Sequence, residues 1–413
     1  MEIVHLLTLS ALFLLFLFNY LRYGDILYPP VLQGGMWIVI TTLFILNEDM
    51  FLTISILTYV VIVIGVTTFT IGSYVSTWNY KFRIKSLDIS QTKINNRIVR
   101  FLFYVSIGGL PFFCHKAYTL GTTGPYNNFF INLRAALTGE DRGDGYGILA
   151  YLVTASFLSA WLELFIYFKT HNKFRMLASY LVAILYALLS TGRTFPMLLF
   201  VTTFGILLVT RRLSFVKTFF YFGSLGLMIF IGVGVLLNKG ASISDDPLDI
   251  FIKMYDTFKI YLLGALPAFD NLLQQNLNAE FGLNTFKTFF TFIRKFDKNI
   301  SVLPLTQNIV FVPMPTNVYT VYQPYYRDFL LFGVIGIQFF LGIWHGFLYK
   351  KATMGKAYYV FLYALFLYPL FMQFFEDQYM SLLSMWVQYL SIIFIIFHSF
   401  NLSYAAVKSH ALS

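Results

Sequence analysis

Arg134 and Arg142 stand among Gly139, Gly143, Gly145 and Gly147. Guanidinium forks match the oxygens of phosphates and carboxylates, and glycines let backbone N–H groups approach an anion. The same two charges would also serve as partners of Glu140, Asp141 and Asp144 in a solvated loop, so both readings stand. Arg193 lies in Ser190-Thr191-Gly192-Arg193-Thr194, directly after the apolar run 176–190. As a helix that run is about 22 Å long, short of a roughly 30 Å hydrocarbon core. In a membrane the turn would sit below the surface, where an arginine must face protein, water or an anion, or snorkel to the headgroups. A third group runs from Val312-Pro313-Met314-Pro315-Thr316-Asn317-Val318-Tyr319-Thr320 through Tyr322, Tyr325, Tyr326, Arg327 and Asp328. Aromatic faces with amides, hydroxyls and a carboxylate nearby are how proteins grip sugar rings; an aromatic belt at a membrane interface has the same composition.

Other chemistry finds little support. The single cysteine, Cys114, excludes an internal disulfide and a multi-thiolate metal site. No HExxH spacing, no GxxxxGK[ST] loop and no acidic pair for a metal-bound nucleotide sugar occurs, so neither a metal nor a cofactor is expected. Glu163, inside an apolar run, is a functional candidate by position, though close enough to one end to reach water. Glu376 and Asp377 read as a polar turn rather than a catalytic pair, and His115 with Lys116 sits near the end of another run.

These groups need a membrane to position them. The chain is 58% hydrophobic, 20% aromatic and 12% charged, too apolar for a soluble domain and lacking the alternation of an outer-membrane barrel. The fold class is all-α, a polytopic integral membrane protein. About eleven transmembrane helices are predicted, at 4–20, 31–46, 50–75, 101–120, 148–168, 176–190, 195–210, 219–237, 329–349, 358–372 and 381–397. More than half of the 29 Lys and Arg residues fall in the short segments after alternate spans and at the C-terminus, accompanied there by Asp25 and Asp88. The positive-inside rule makes these faces cytoplasmic, with the N-terminus outside and the C-terminus inside. The net charge of +10 is thus mainly a topology signal, and no nucleic acid is implied.

Three regions follow: 1–238 with eight spans and the outer loop 121–147, the large extracytoplasmic segment 239–327, and 328–413 with three spans. The long segment is too apolar to be a spacer. Asp246 followed by Pro247 predicts a helix start, with Asp249, Lys253 and Asp256 along one face. After Gly282, Lys287, Thr291, Arg294, Lys295 and Lys298 oppose Phe286, Phe289, Phe290, Ile293 and Phe296, the pattern of an amphipathic helix in the headgroup plane. Such a helix anchors to anionic lipid or docks a lipid-linked phosphate.

The stretch Pro315-Thr316-Asn317-Val318-Tyr319-Thr320, Tyr325-Tyr326-Arg327-Asp328-Phe329 and Gly333-Val334-Ile335-Gly336 resembles the signature of oligosaccharide repeat-unit polymerases, the O-antigen polymerases of the Wzy type. Tyr261-Leu262-Leu263-Gly264 with Ala268-Phe269-Asp270, Ser190-Thr191-Gly192-Arg193 and Leu133-Arg134 occur in the family's order, and ten residues separate Arg134 from Gly145. The family often has a glycine after the signature aspartate, where this chain has Phe329 and Leu330.

The resemblance implies a GT-C-like glycosyltransferase at the periplasmic face of a bacterial inner membrane. Its donor and acceptor would be glycans on undecaprenyl pyrophosphate, and its partners membrane lipid and a chain-length regulator protein. On that footing Arg134, Arg142, Arg193, Arg294 and Arg327 are candidates to neutralise the leaving pyrophosphate, with Arg193 first. Asp328 is the first choice of base, followed by Asp270 and His115, while Asn317, Tyr319 and Tyr326 would orient the sugar. Two other classes compete: an O-antigen ligase-like transferase to lipid A core, and a lipid-linked oligosaccharide flippase or transporter. A transporter would distribute ionisable groups through the bundle, whereas here the polar residues gather outside.

Overall fold

The structure is a computed structural model, which describes residues 2–78, 80, 94–138, 145–192, 194–236, 246–275, 277–303 and 307–410. Arg142 and Arg193, and the loop residues around Asp88, lie outside the described residues. The described chain is almost entirely helical, as the unbroken apolar runs require once every backbone N–H and C=O must be paired within its own segment. Each of the eleven predicted spans falls on a helix. These are α1 (Glu2–Tyr23), α2 (Pro29–Ile45), α3 (Ile56–Thr77), α4 (Asn96–Thr122), α6 (Tyr151–Thr170), α7 (Lys173–Leu189), α8 (Thr194–Val209), α9 (Phe215–Leu236), α13 (Tyr322–Thr353), α14 (Ala357–Phe371) and α15 (Leu383–His410). Among the described residues, six helical stretches are long and apolar enough to cross a membrane, so the chain is a multi-pass helical membrane protein. Between them lie α5 (Phe129–Thr138), α10 (Pro247–Leu263), α11 (Ala265–Leu273) and α12 (Lys287–Ile293). A two-stranded antiparallel hairpin, β1 (Val310–Phe311) with β2 (Pro315–Thr316), pairs Val310 with Thr316 and turns through a cis Val312-Pro313 bond.

The chain divides into two compact units. The first comprises Met1–Lys85, Tyr255–Met354 and Phe366–Leu383. Its centre is the crossing of α3 and α13, where Gly72, Gly342 and Gly346 bring two backbones together: a Cβ on Gly342 would lie 2.1 Å from the Phe69 carbonyl oxygen. Small residues permit this approach, and Ser73 Oγ donates to the Gly342 carbonyl across it at 2.9 Å. Polar side chains also tie this core. Gln33 of α2 donates to Gln338 at 3.2 Å and Gln373 at 2.8 Å, and His345 meets Tyr379 at 2.8 Å. The second unit comprises Ser86–Met254, Gly355–Leu365 and Ser384–Ser413. Here the buried face of α6 packs on α4 and α7, and Trp161 donates to the Leu199 carbonyl.

Local sequence accounts for several ends. α10 begins at Pro247, as expected, with Ile250 N–H bonded to the Asp246 carbonyl. α7 is 17 residues, about 25 Å, and stops where Thr191 adopts φ +55°. α12 is only seven residues and gives way to turns after Ile293, so the amphipathic helix predicted through Lys298 is shorter than expected. Its phenylalanines are nonetheless outward: Phe289, Phe292 and Phe296 are all exposed. α13 starts seven residues before the predicted span and is broken at Leu330, whose φ of +53° and ψ of −144° belong to glycine's conformational range. The tyrosines ahead of the span therefore occupy a helical turn that ends at Asp328 and Phe329. The left-handed residue falls next to the place where the related signature often carries glycine.

Candidate functional site

The signature folds into one knot in the first unit. The segment 280–285 runs against the break in α13: Glu280 N–H bonds the Arg327 carbonyl at 3.1 Å, and Phe281 N–H bonds the Asp328 carbonyl at 3.2 Å. Two left-handed residues, Phe281 and Gly282, turn the chain back so that its next N–H groups point at the Asp328 carboxylate. Asn284 N–H reaches both oxygens at 3.1 Å, Asn284 Nδ2 donates to Oδ1 at 2.8 Å, and Thr285 N–H donates to Oδ2. Asp328 is 0% exposed. A fully buried carboxylate with three N–H donors ties the 280–285 turn to the break in α13. Arg327 does not pair with Asp328. It donates to Glu280 Oε1 at 2.8 Å, while Glu280 Oε2 accepts from Asn284.

Asp270, the second choice of base, is likewise occupied. Its carboxylate accepts from Ser55 N–H at 2.8 Å and from the hydroxyls of Ser55 and Thr58, at the start of α3, and from Gln274. That is helix capping supplied from a distant part of the chain, a negative charge at a helix N-terminus. His115 is exposed on α4, in the second unit.

The tyrosines of the signature divide between core and part-exposed positions. Tyr322 and Tyr325 are core residues, the first stacked on Trp37 and the second donating to Asp377 at 2.8 Å. Tyr319 is 6% exposed and its hydroxyl donates to the Asn308 carbonyl; burial pushes that hydroxyl up, with Arg327 pulling the other way. Tyr326 is part-buried, edge-on to Phe269, and Asn317 is exposed beside the hairpin. Arg294 is exposed just after α12.

In the turn after α14, expected as a polar turn rather than a catalytic pair, the two acids have different surroundings. Asp377 is 2% exposed and gathers Tyr325 Oη together with the N–H groups of Tyr379, Met380 and Ser381, fixing the turn to α13. Glu376, next to it, is part-exposed and has one long bond, 3.4 Å, from Gln378 Nε2. Desolvation first, and then the Asp377 charge, push the Glu376 carboxyl up to about 7 against the pull of Lys287. Sequence reasoning passed over this asymmetry because adjacent acids look alike until their burial is known.

In the second unit Arg134 of α5 donates to the Thr191 carbonyl at 3.0 Å, so the glycine-flanked arginine and the turn after α7 meet. Tyr146 Oη donates to the Leu189 carbonyl at 2.6 Å and stacks on Phe113, holding the same turn. Glu163 is paired with Arg175 at 2.7 Å, an ion pair that compensates a buried carboxylate in this helix. Among the described residues no three His, Cys, Asp or Glu side chains group as metal ligands.

A curated protein of Shigella dysenteriae, an O-antigen polymerase, is 29% identical to this chain over 264 residues. The chain is similar to an O-antigen polymerase. The match covers 62% of this chain and 63% of the relative, so it spans less than two thirds of either. It agrees with the family resemblance that the signature from Pro315 to Gly336 carries. No family model matches the chain, and no solved structure matches it.

Proposed function

We propose that this protein is a glycosyltransferase that polymerises undecaprenyl-pyrophosphate-linked repeat units into O-antigen or a related surface polysaccharide at the periplasmic face of the inner membrane. The observation that carries the reading is the convergence of the resemblance with the knot: the signature residues Arg327 and Asp328 are tied to Glu280, Asn284 and Thr285 of the long segment, beside the turn that bears Glu376. In this reading Asp328 positions the turn. Arg327, with Glu280 setting its orientation, and Arg294 meet phosphate or sugar oxygens; Arg134, Arg142 and Arg193 are proposed for phosphate. Tyr326, Tyr319 and Asn317 are proposed to orient the sugar. Charge growing on the departing pyrophosphate calls for guanidinium groups to stabilise it. A chain-length regulator is proposed as partner.

Purified protein given lipid-linked single repeat units should yield a ladder of longer glycans on the same lipid. Transfer to a lipid A core alone would assign it to the ligases instead, and translocation without new bonds to the transporters. The ladder should persist in EDTA, because the described carboxylates and histidines form no ligand group; loss in EDTA with recovery on adding magnesium would refute this part.

Topology is tested separately. In a background with Cys114 replaced, a cysteine at Lys351 should be labelled only from the cytoplasm, and one at Asn299 only from the exterior. Labelling of Asn299 from the cytoplasm would place the knot on the wrong face and end the proposal.

A further inference from the structure

We infer that Glu376 is the proton acceptor for the attacking sugar hydroxyl, a deepening that rests on the polymerase reading above. Around the signature the carboxylates divide sharply. Asp270, Asp328 and Asp377 are each at most 3% exposed and are filled by backbone and hydroxyl donors. Both oxygens of Glu280 are engaged, by Arg327 and Asn284. Glu376 alone in this set is part-exposed with, among the described residues, only a long amide contact.

Its setting suits the task. The short 3-10 turn Met372–Phe374 delivers it, Glu376 N–H bonds the Met372 carbonyl, and the donors to Asp377 hold the following residues in place. A base held by a rigid turn keeps its oxygen where the hydroxyl must lie. Phe375, the residue before Glu376, stacks on Tyr261 at 6.2 Å and 14°, both residues part-exposed, a flat apolar pair suited to a sugar ring. Tyr261 opens the Tyr261-Leu262-Leu263-Gly264 motif, otherwise without a chemical role. The charged groups acting on Glu376 are Asp377 of its own turn and Lys287 at the start of α12. Thr288, next to Lys287, contacts the Met380 carbonyl at 3.5 Å, so α12 lies against this turn.

The step balances without a further reactant. The acceptor oxygen forms a bond to the anomeric carbon of the donor glycan. The bond from that carbon to the pyrophosphate oxygen breaks, its electron pair leaving with undecaprenyl pyrophosphate. The hydroxyl proton passes to the Glu376 carboxylate and from there to water.

A carboxyl titrating near 7 acts as a base only above that pH, so wild-type turnover should climb as pH rises through about 7. Glu376→Gln should lower turnover by roughly 10²- to 10⁴-fold with donor and acceptor binding unchanged, and should remove the pH-dependent limb. Formate should restore part of the activity of Glu376→Ala, a rescue that a purely structural side chain would not show. The measurement is single-addition kinetics on lipid-linked repeat units, with thermal melting of each variant in the same detergent. Wild-type turnover in Glu376→Gln, or a wild-type profile flat across pH 6 to 8, overturns the inference while leaving the polymerase reading intact. A low-activity variant that melts early is decided by the alanine variant, since absence of formate rescue overturns the inference as well. Failure of the wild type to extend any glycan removes both.

Discussion

Asp328→Ala should cost about 3 kcal/mol or more of stability and abolish long-chain product, the loss expected when several bonds to one buried charge disappear together. Removing the carboxylate leaves Asn284 N–H, Asn284 Nδ2 and Thr285 N–H aimed at an apolar gap in a site with no exposure. Each such bond to a charged group is worth roughly 1.5 to 3 kcal/mol, but they are not additive because the 280–285 turn will relax. Asp328→Asn keeps the shape and one acceptor, while its NH₂ faces an N–H donor. It should fall between wild type and alanine in melting temperature, and activity should follow stability. Melting curves and glycan ladders at matched expression provide the check. If Asp328→Asn instead melts like wild type yet turns over 10²- to 10⁴-fold more slowly, Asp328 is the base and the inference on Glu376 fails.

What the sequence could disclose follows from range. The apolar runs are local signals, and all eleven fall on helices, down to the short run before Ser190 that ends at a left-handed Thr191. The start of α10 at Asp246-Pro247 is local in the same sense. The signature's Arg327 and Asp328 fall in one bonded cluster with Glu280, Asn284 and Thr285. Roles within that site were hidden because the partners are remote. The donors to Asp328 come from 43 and 44 positions earlier, Ser55 and Thr58 reach Asp270 from more than 200, and the carbonyl that Arg134 meets lies 57 positions on. Composition cannot tell a carboxylate with filled lone pairs from one facing a ligand. Tyr322 and Tyr325 misled for the same reason: a tyrosine on a platform and a tyrosine packed on Trp37 or bonded to Asp377 have the same letter.

The glycines of the α3 and α13 crossing carry the other large effect. Gly342→Leu should leave little folded protein, and even Gly342→Ala should destabilise by about 3 kcal/mol, the upper part of the usual range for overpacking. The first added carbon would meet the Phe69 carbonyl oxygen at 2.1 Å and the Ser73 nitrogen at 2.9 Å. These are backbone atoms of a helix, so no rotamer change can make room. The helices must part, breaking the Ser73 bond to the Gly342 carbonyl and loosening the contact of Gly72 with Phe339. Since α13 also carries Arg327 and Asp328 at its far end, separation would move the knot, and polymer length should fall with stability. Gly336→Ala in the same helix is the control. Nothing lies within 4 Å of its added carbon, and alanine favours helix over glycine by about 1 kcal/mol, so that variant should melt at or above wild type. Equal melting temperatures for Gly336→Ala and Gly342→Ala would mean that the two backbones do not meet at Gly342, and the packing that supports the first unit would have to be redrawn.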